Sequence, residues 1–287
     1  MNQAGLQQKF RALIRLLDED DPQILSVVTS ELIANRHQVS SMLHEAMNTA
    51  DSLVRIRIRE ILDEIERQNL QEQLESLKKY LKTEEFSLEK ALHLVSKTFY
   101  PKADFVALQD VLSEMAISLK YRLSNVYQPA EVIDTVNRFF LDDLGLKGSA
   151  ENYHDLDNNI IYRVLERKRG VPVSLCTIYI LVGRRLNLPI FGVGAPAHFM
   201  IKFLFERTEI FVDVFNNGVV MLRKEAEEFI RSMGFEPEER HLRAVSDYQI
   251  LARTCRNISR SLDLKGDSHK ANLFMDLSLE IEKMVKK

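Results

Sequence analysis

The sequence predicts an α+β fold in which a buried central helix packs on a small antiparallel sheet, flanked by N- and C-terminal helical regions. The central helix is indicated by residues 172–186, which are apolar on nearly every face until the closing arginines. The sheet is indicated by short β-rich segments, of which 198–205 and 209–215 are separated by a polar turn at 206–208. Much of the remaining chain places apolar residues at helical spacing, which predicts the flanking helices.

Length and composition favour more than one folded unit. The chain has 287 residues, whereas one domain usually needs roughly 100 to 200. Apolar residues make up 45% and charged residues 28%, which is typical of globular proteins. The net charge of -3 arises from interspersed acids and bases, so we expect no nucleic-acid partner.

The cysteines and the hydropathy pattern narrow the location of the protein. Cys176 and Cys255 lie far apart without metal-ligand spacing, so the sequence predicts neither a disulfide framework nor a metal site, and we expect no cofactor. The first residues do not read as a signal peptide. No stretch reaches the roughly 18 uninterrupted apolar residues of a membrane span. We therefore expect a cytoplasmic protein without a membrane partner.

The N-terminal region contains an internal repeat. A shift of thirty positions superimposes two series of residues, Leu13, Leu17, Asp21, Ile24, Val28 and Leu32 on Leu43, Met47, Asp51, Val54, Ile58 and Leu62. In each copy an aspartate stands where a second helix begins, as a helix N-cap should. The two copies resemble HEAT-type helical pairs.

The predicted hairpin would bring a histidine and an aspartate together. His198 and Asp213 are placed nearly symmetrically about the polar turn, so their side chains should meet across adjacent strands. A carboxylate beside an imidazole fixes its tautomer and raises its basicity, as in the second half of a catalytic triad. Taken alone, the pair also fits a purely structural role.

Three stretches carry a resemblance to a known family, and they follow the order found there: GVPVSLCTIYILVGRRLNLP, GVGAPAHFMIKF and IFVDVFNNG. They are similar to the bacterial SirB-one branch of transglutaminase-like proteins, and segments 86–116 and 139–170 continue the similarity. The resemblance implies a papain-like core in which a cysteine opens the buried helix, a histidine leads a strand, and an aspartate on the next strand orients it. His198 then takes the position of the base and Asp213 that of the orienting residue.

The resemblance also exposes a departure at the nucleophile. Gly170, Val171 and Pro172 stand where the superfamily has glycine, any residue and cysteine. Proline cannot attack a substrate, and the SirB-one branch shares this departure, so acyl transfer is in doubt. Two substitutes remain open, namely Cys176, which lies about 6 Å further along the helix, and Ser174, which is on a different face.

Other polar residues near the predicted cleft have competing interpretations. Tyr153 and Asn158 match the family's motif and either border the cleft or support the fold. Asp155 and Asp157 lie in YHDLDNNI, which could coordinate a cation but lacks the glycine and the terminal glutamate of a calcium loop. More simply, Asp157 or Asn158 caps a helix that begins at Asn159.

The helical pattern and the resemblance together divide the chain into four parts: 1–67 with HEAT-like repeats, 68–86 as a connecting helix, 87–223 as the transglutaminase-like domain, and 224–287 as C-terminal helices. The last part contains two amphipathic helices joined near Gly266 and resembles a tetratricopeptide-like tail. Such a tail either packs on the core or offers a groove to a partner helix.

Two functional hypotheses of different classes follow. The first is a non-catalytic, regulatory or binding protein whose cleft around His198 and Asp213, with Pro172, Ser174 and Tyr153 nearby, holds a peptide or protein partner. The second is a cysteine hydrolase or acyltransferase that uses Cys176, His198 and Asp213 on a peptide, amide or ester. A structural scaffold without any ligand is a third possibility, and the sequence does not indicate the oligomeric state.

Overall fold

The computed structural model describes residues 3–206 and 208–285. The chain folds as two units, 1–75 and 76–287. Its fold is mostly helical α+β with a small antiparallel four-stranded sheet, as the sequence predicts. The predicted turn at 206–208 includes Arg207, which lies outside the described residues.

The first unit contains α1 (Gln3–Arg15), α2 (Pro22–Ala34) and α3 (Arg36–Met47). Helix α4 (Ser52–Tyr80) begins in the first unit and ends in the second. The two repeated aspartates cap helices as predicted. The Asp21 side chain accepts a hydrogen bond from the Gln23 amide at 2.8 Å, and Asp51 accepts one from the Val54 amide at 2.9 Å. Helix α4 runs unbroken through the first part of the predicted connecting helix, and the HEAT-type assignment stays a prediction.

The core of the first unit contains part of the apolar series of the repeat, namely Leu17, Val28, Leu32, Leu43 and Ile58. The other buried members are Phe10, Val39, Ile61 and Ile65. Burial of these side chains contributes most of the stability of short helices, which are marginal in isolation.

The second unit contains the remaining helices: α5 (Leu88–Lys97), α6 (Phe105–Arg122), α7 (Pro129–Arg138), α8 (Ile161–Arg167), α9 (Pro172–Arg185), α10 (Arg223–Ser232), α11 (Glu239–Leu242), α12 (Asp247–Leu264) and α13 (Ser268–Val285). Helix α5 is capped by Ser87 and α6 by Asp104, whose side chains accept hydrogen bonds from the backbone. Helix α8 begins at Ile161 and not at Asn159. The predicted cap was wrong in detail, since Asp155 accepts from the Asp157 amide in a short 3-10 turn before it.

The strands form two groups: the parallel pair β1 (Lys147–Gly148) and β2 (Arg169–Gly170), and the antiparallel sheet β3 (Ile190–Val193), β4 (Met200–Phe205), β5 (Thr208–Asp213) and β6 (Val219–Leu222). The strands of the sheet follow chain order. Strands β4 and β5 form the predicted hairpin, with Ile201 opposite Val212 and Phe205 opposite Thr208.

Helix α9 is the buried centre of the second unit. All residues from Pro172 to Gly183 are buried, and the helix packs against β3, β4 and α6. Proline at the first helical position costs no hydrogen bond, because that amide has no partner within the helix. Tyr179 stacks on Phe140 with ring centroids 4.0 Å apart. The predicted central helix on a small sheet is therefore confirmed.

The C-terminal helices form a hairpin. Helices α12 and α13 pack along their length, with Ser278 donating to the Ala252 carbonyl at 2.8 Å and Ser259 to the Ala271 carbonyl at 2.7 Å. Helix α12 also contacts α9. None of the helices within the described residues is both long and apolar enough for a bilayer span. The tetratricopeptide-like assignment of this tail stays a prediction.

His93 should make the second unit sensitive to acid. Its side chain is buried, and Nδ1 lies 2.7 Å from the Tyr162 hydroxyl, which itself donates to the Asp104 carbonyl. Burial, together with Lys97, lowers the pKa of His93. The unfolded chain therefore binds the proton more readily, and stability falls as the pH drops below about 6.5 towards the lower folded pKa.

Urea unfolding at about pH 7 and pH 5 tests this expectation. A His93→Gln variant should lose most of the pH dependence, whereas His269→Gln, on an exposed position, should keep it. If the free energy of unfolding of His93→Gln still fell between about pH 7 and pH 5 as much as that of the original chain, another group would be responsible for the sensitivity to acid.

Candidate functional site

The structure brings His198 and Asp213 together, as the hairpin predicts. Asp213 is the last residue of β5, whereas His198 lies in the loop two residues before β4. The Nε2 atom of His198 is 2.9 Å from Oδ1 of Asp213. Both side chains are largely buried, with 10% and 2% of their surface exposed. Their roles in any chemistry stay a prediction.

The contact between the two residues is close but not ideally directed. Nε2 of His198 is buried and makes no well-aligned hydrogen bond, although Oδ1 of Asp213 is 2.9 Å away. The 2.9 Å separation of Nε2 and Oδ1 is therefore the observation that identifies the two side chains as a pair. Because Nε2 faces Asp213, Nδ1 is the ring nitrogen left for a ligand.

The carboxylate of Asp213 is held in its ionised form by its neighbours. Oδ1 accepts from the Asn216 amide at 3.2 Å, and Oδ2 accepts from Asn216 Nδ2 at 2.7 Å. Burial favours the neutral acid, but His198 and Asn216 outweigh it and hold the pKa of Asp213 below its usual value. Asp213 therefore presents an ionised carboxylate beside the imidazole of His198.

Aromatic rings flank the histidine. Phe229 of α10 and Phe215, which follows β5, meet His198 edge-on at centroid distances of 5.3 and 6.4 Å. Tyr153 meets Phe215 edge-on at 5.8 Å. The structure thus connects the predicted Tyr153 to His198 through Phe215, and this apolar lining was not predicted from the sequence.

Gly148 should be intolerant of a side chain, because β1 passes directly against Phe215. A Cβ atom at this position would lie 2.6 Å from the Phe215 carbonyl oxygen and 2.8 Å from its ring. We expect Gly148→Ala to lower the free energy of unfolding by about 1–3 kcal/mol, through overpacking and displacement of Phe215. Gly194→Ala is the matched control, because its Cβ would meet only a Val245 methyl group at 3.3 Å. Equal stability of both variants would contradict the close packing.

Cys176 lies in the core. Its side chain is fully buried, and its sulfur is 3.8 Å from the Phe199 carbonyl oxygen. Burial, reinforced by the charge of Asp213, raises the pKa of this thiol well above its usual value. Such surroundings favour the neutral thiol over the nucleophilic thiolate.

Pro172 and Ser174 lie in the first turn of α9. Pro172 is buried, and Val171 is the residue that precedes the helix. The Ser174 hydroxyl accepts from the Val171 amide at 3.1 Å and lies 2.6 Å from the Asn158 carbonyl, to which it donates. This hydroxyl therefore ties α9 to the segment before α8, and no hydrogen bond among the described residues joins it to His198.

Asn158 is also held in the fold. It is fully buried, and its Nδ2 donates to the Asn152 carbonyl at 2.6 Å. Its Oδ1 is buried without a hydrogen-bond partner. In the same segment, Asp155 pairs with Arg167 and Asp157 pairs with Arg163. Within the described residues, no three acidic, histidine or cysteine side chains are grouped as metal ligands would be.

Arg253 is a residue of the site that the sequence analysis missed. From α12 its Nη1 donates to the Ala195 carbonyl at 3.2 Å, and its guanidinium lies 5.8 Å from the centre of the Phe199 ring. The Ala195 carbonyl also accepts from the His198 amide at 3.2 Å, so Arg253 reaches the loop that carries the histidine. The available signal was a lone charge among the apolar residues 250–255.

Comparison with known proteins assigns the fold to a family. The model of the transglutaminase-like superfamily matches residues 106–256, which is more than half of the chain. The chain belongs to the transglutaminase-like superfamily. The matched segment includes His198, Asp213 and Arg253, and the domain bounds 87–223 stay a prediction.

Several curated proteins are similar to this transglutaminase-like chain. A UPF0162 protein of Xylella fastidiosa is 29% identical over 171 residues, covering 58% of this chain and 61% of that protein. A UPF0162 protein of Vibrio cholerae is 32% identical over 84 residues, 29% of this chain and 31% of that protein. F-box only protein 21 of Mus musculus is 30% identical over 111 residues, 35% of this chain and 17% of that protein. No solved structure matches the chain.

Proposed function

We propose that this chain is a non-catalytic transglutaminase-like protein of the SirB-one type, which binds a peptide or protein segment at the site around His198 and Asp213. The observation that carries the proposal is Pro172, a buried residue in the first turn of the central helix. The resemblance to the superfamily puts the nucleophilic cysteine at this position. A proline side chain has no nucleophilic atom.

The nearby hydroxyl and thiol do not replace the missing nucleophile. The Ser174 hydroxyl is engaged with the backbone of Val171 and Asn158. Cys176 is fully buried, and burial raises the pKa of its thiol. A hydrolase or acyltransferase based on Cys176 would need the core to open and this pKa to fall. Both requirements favour binding over catalysis.

The remaining site has the properties of a binding site. The imidazole of His198, which is 10% exposed, lies 2.9 Å from a buried carboxylate and is flanked by Phe215 and Phe229. Apolar walls with a few oriented polar groups are typical of ligand sites. The loop before His198 holds Ala197 at a φ of 55°, a left-handed conformation that costs free energy in a residue other than glycine. Strain of this kind is concentrated at functional sites.

A display library of random peptides tests this function. We expect selection on the full chain to enrich peptides that lose binding at least ten-fold in a His198→Ala variant. The matched control is His269→Ala, an exposed histidine far along the sequence, which should bind the peptides unchanged. Thermal unfolding of both variants confirms that they are folded.

Two results would contradict the proposal. Equal binding of the selected peptides to His198→Ala would place the binding surface elsewhere. Cleavage of a selected peptide, or its covalent transfer to an amine, would instead support the hydrolase or acyltransferase based on Cys176.

A further inference from the structure

Arg253 is a cation without an anion. The structure describes no carboxylate paired with its guanidinium, and the groups that act on its charge are Tyr153, Arg256 and Cys176. Among the described residues, one hydrogen bond is found for its five N–H donors, the bond to the Ala195 carbonyl. Buried or half-buried charges in proteins are normally paired, so this arrangement calls for an explanation.

The other arginines on α12 near Arg253 do have acidic partners. Arg256 pairs with Glu282, and Arg260 lies 3.6 Å from Asp263. Arg260 is exposed and Arg256, like Arg253, is partly buried, yet Arg256 and Arg260 each have an acidic partner. Burial lowers the pKa of Arg253, although a guanidinium stays charged in proteins. Among the described residues, Arg253 is thus the one of these three arginines for which no carboxylate partner is found.

The free donors of Arg253 are accessible. No nitrogen of this side chain is among the fully buried described atoms that lack a hydrogen-bond partner, so its unused N–H groups are not completely enclosed by protein. Its anchor is the Ala195 carbonyl, which it shares with the His198 amide. The guanidinium therefore borders the same site as the imidazole.

We propose that Arg253 is the anion subsite of the peptide site, and that it binds a carboxylate of the bound segment. This inference rests on the proposed function and adds the chemical class of the group that the site recognises. The guanidinium presents a planar fork that matches a carboxylate through two parallel N–H bonds. An incoming carboxylate would complete the pairing that the fold leaves open.

A carboxylate fits the local charges better than a phosphate group. The ionised Asp213 occupies the histidine side of the site, and a dianion would add repulsion there. A phosphate group usually needs several cations or amides, whereas Arg256 is already paired with Glu282. One free guanidinium matches one negative charge.

Tyr153 links this subsite to a hollow in the surface of the second unit. A hollow of about 720 Å³ lies between residues 150–155 and the C-terminal half of α12, and Tyr153 lines it. Tyr153 also interacts electrostatically with Arg253, and its ring contacts Phe215. A segment whose carboxylate meets Arg253 can therefore extend past Tyr153 into the hollow.

Small probes test the inference on the full chain by NMR, with the Arg253 Nε–Hε signal and the His198 amide as readouts at constant ionic strength. The carboxylate probes are N-acetylglycine, which represents a chain terminus, and a glutamate capped at both ends, which represents a side chain. N-acetylglycinamide is the neutral control, and inorganic phosphate is the competing anion. We expect at least one carboxylate to cause saturable chemical-shift changes. Its affinity should be at least ten-fold higher than that of the amide or of phosphate. The stronger of the two carboxylates identifies the source.

Variants on α12 localise the effect. Arg253→Gln should abolish the shift of the His198 amide, and Arg260→Gln, which removes the same charge from an exposed position, should leave the shifts of both signals unchanged. If Arg253→Gln does not fold, the comparison of probes on the unaltered chain still decides the matter. Equal shifts with the amide, unaltered binding in Arg253→Gln, or tighter binding of phosphate would overturn the assignment.

The failure of this inference can be distinguished from failure of the proposed function. Peptides that require His198 but bind equally to Arg253→Gln would overturn the anion subsite alone. A display selection that enriches no His198-dependent peptide would overturn the proposed function itself.

Discussion

Replacing Asp213 with alanine should lower the free energy of unfolding by about 3 kcal/mol, because buried groups would lose their acceptor. Asp213 is 2% exposed, lies 2.9 Å from Nε2 of His198, and accepts hydrogen bonds from the backbone amide and the side-chain nitrogen of Asn216. Its removal takes away the carboxylate that faces the buried Nε2 of His198. Urea unfolding monitored by circular dichroism measures the difference.

The matched variant for this prediction is Asp213→Asn, which keeps the volume and one acceptor oxygen and should cost about 1–2 kcal/mol. The pH dependence provides a second check. Since the folded pKa of Asp213 is lowered, its ionised form stabilises the fold above the ordinary carboxyl pKa, and this contribution is lost as the pH falls through the folded value. A constant difference between the original chain and Asp213→Ala down to strongly acidic pH would contradict the account.

Replacing Phe140 with alanine should cost about 3–5 kcal/mol, because the ring fills the space over the central helix. Phe140 is fully buried and stacks on Tyr179 at 4.0 Å. The surrounding structure is held by a helix that is buried along twelve consecutive residues, so the cavity cannot collapse easily. Differential scanning calorimetry gives the change in unfolding temperature and enthalpy.

Ile117→Ala on α6 is the control for this prediction. Ile117 is 69% exposed, so its truncation should change the stability by less than about 0.5 kcal/mol. If the two variants were equally stable, the buried position of Phe140 over α9 would be wrong.

The elements with strong local signals could be predicted from the sequence. The apolar run 172–186 has no polar face, so only burial can accommodate it, and α9 is indeed buried. The hairpin was predictable because β-rich segments flank a polar turn, and this placed His198 near Asp213. The caps Asp21 and Asp51 were predictable because the repeat aligns them at helix starts.

The rest of the site depends on contacts between segments that are distant in sequence. Arg253 reaches the Ala195 carbonyl from a helix 58 positions away, and its apolar neighbours in the sequence do not indicate which segment it contacts. Phe229 contacts His198 from α10, and this contact also joins segments that are distant in sequence. The hydrogen bond from the Ser174 hydroxyl to the Asn158 carbonyl was also not predictable, because the two residues are 16 positions apart. Local periodicity carries no information about such pairings.

Alkylation of Cys176 by iodoacetamide in the folded chain tests the central claim most directly. The measurement uses a Cys255→Ala background, which keeps that buried position apolar, and covers about pH 5 to pH 9. We predict that Cys176 is labelled only when the protein unfolds, at a rate that His198→Ala affects only through stability. Rapid labelling with an apparent pKa well below about 8.5, which rises in His198→Ala, would reveal an activated thiolate and contradict the non-catalytic account.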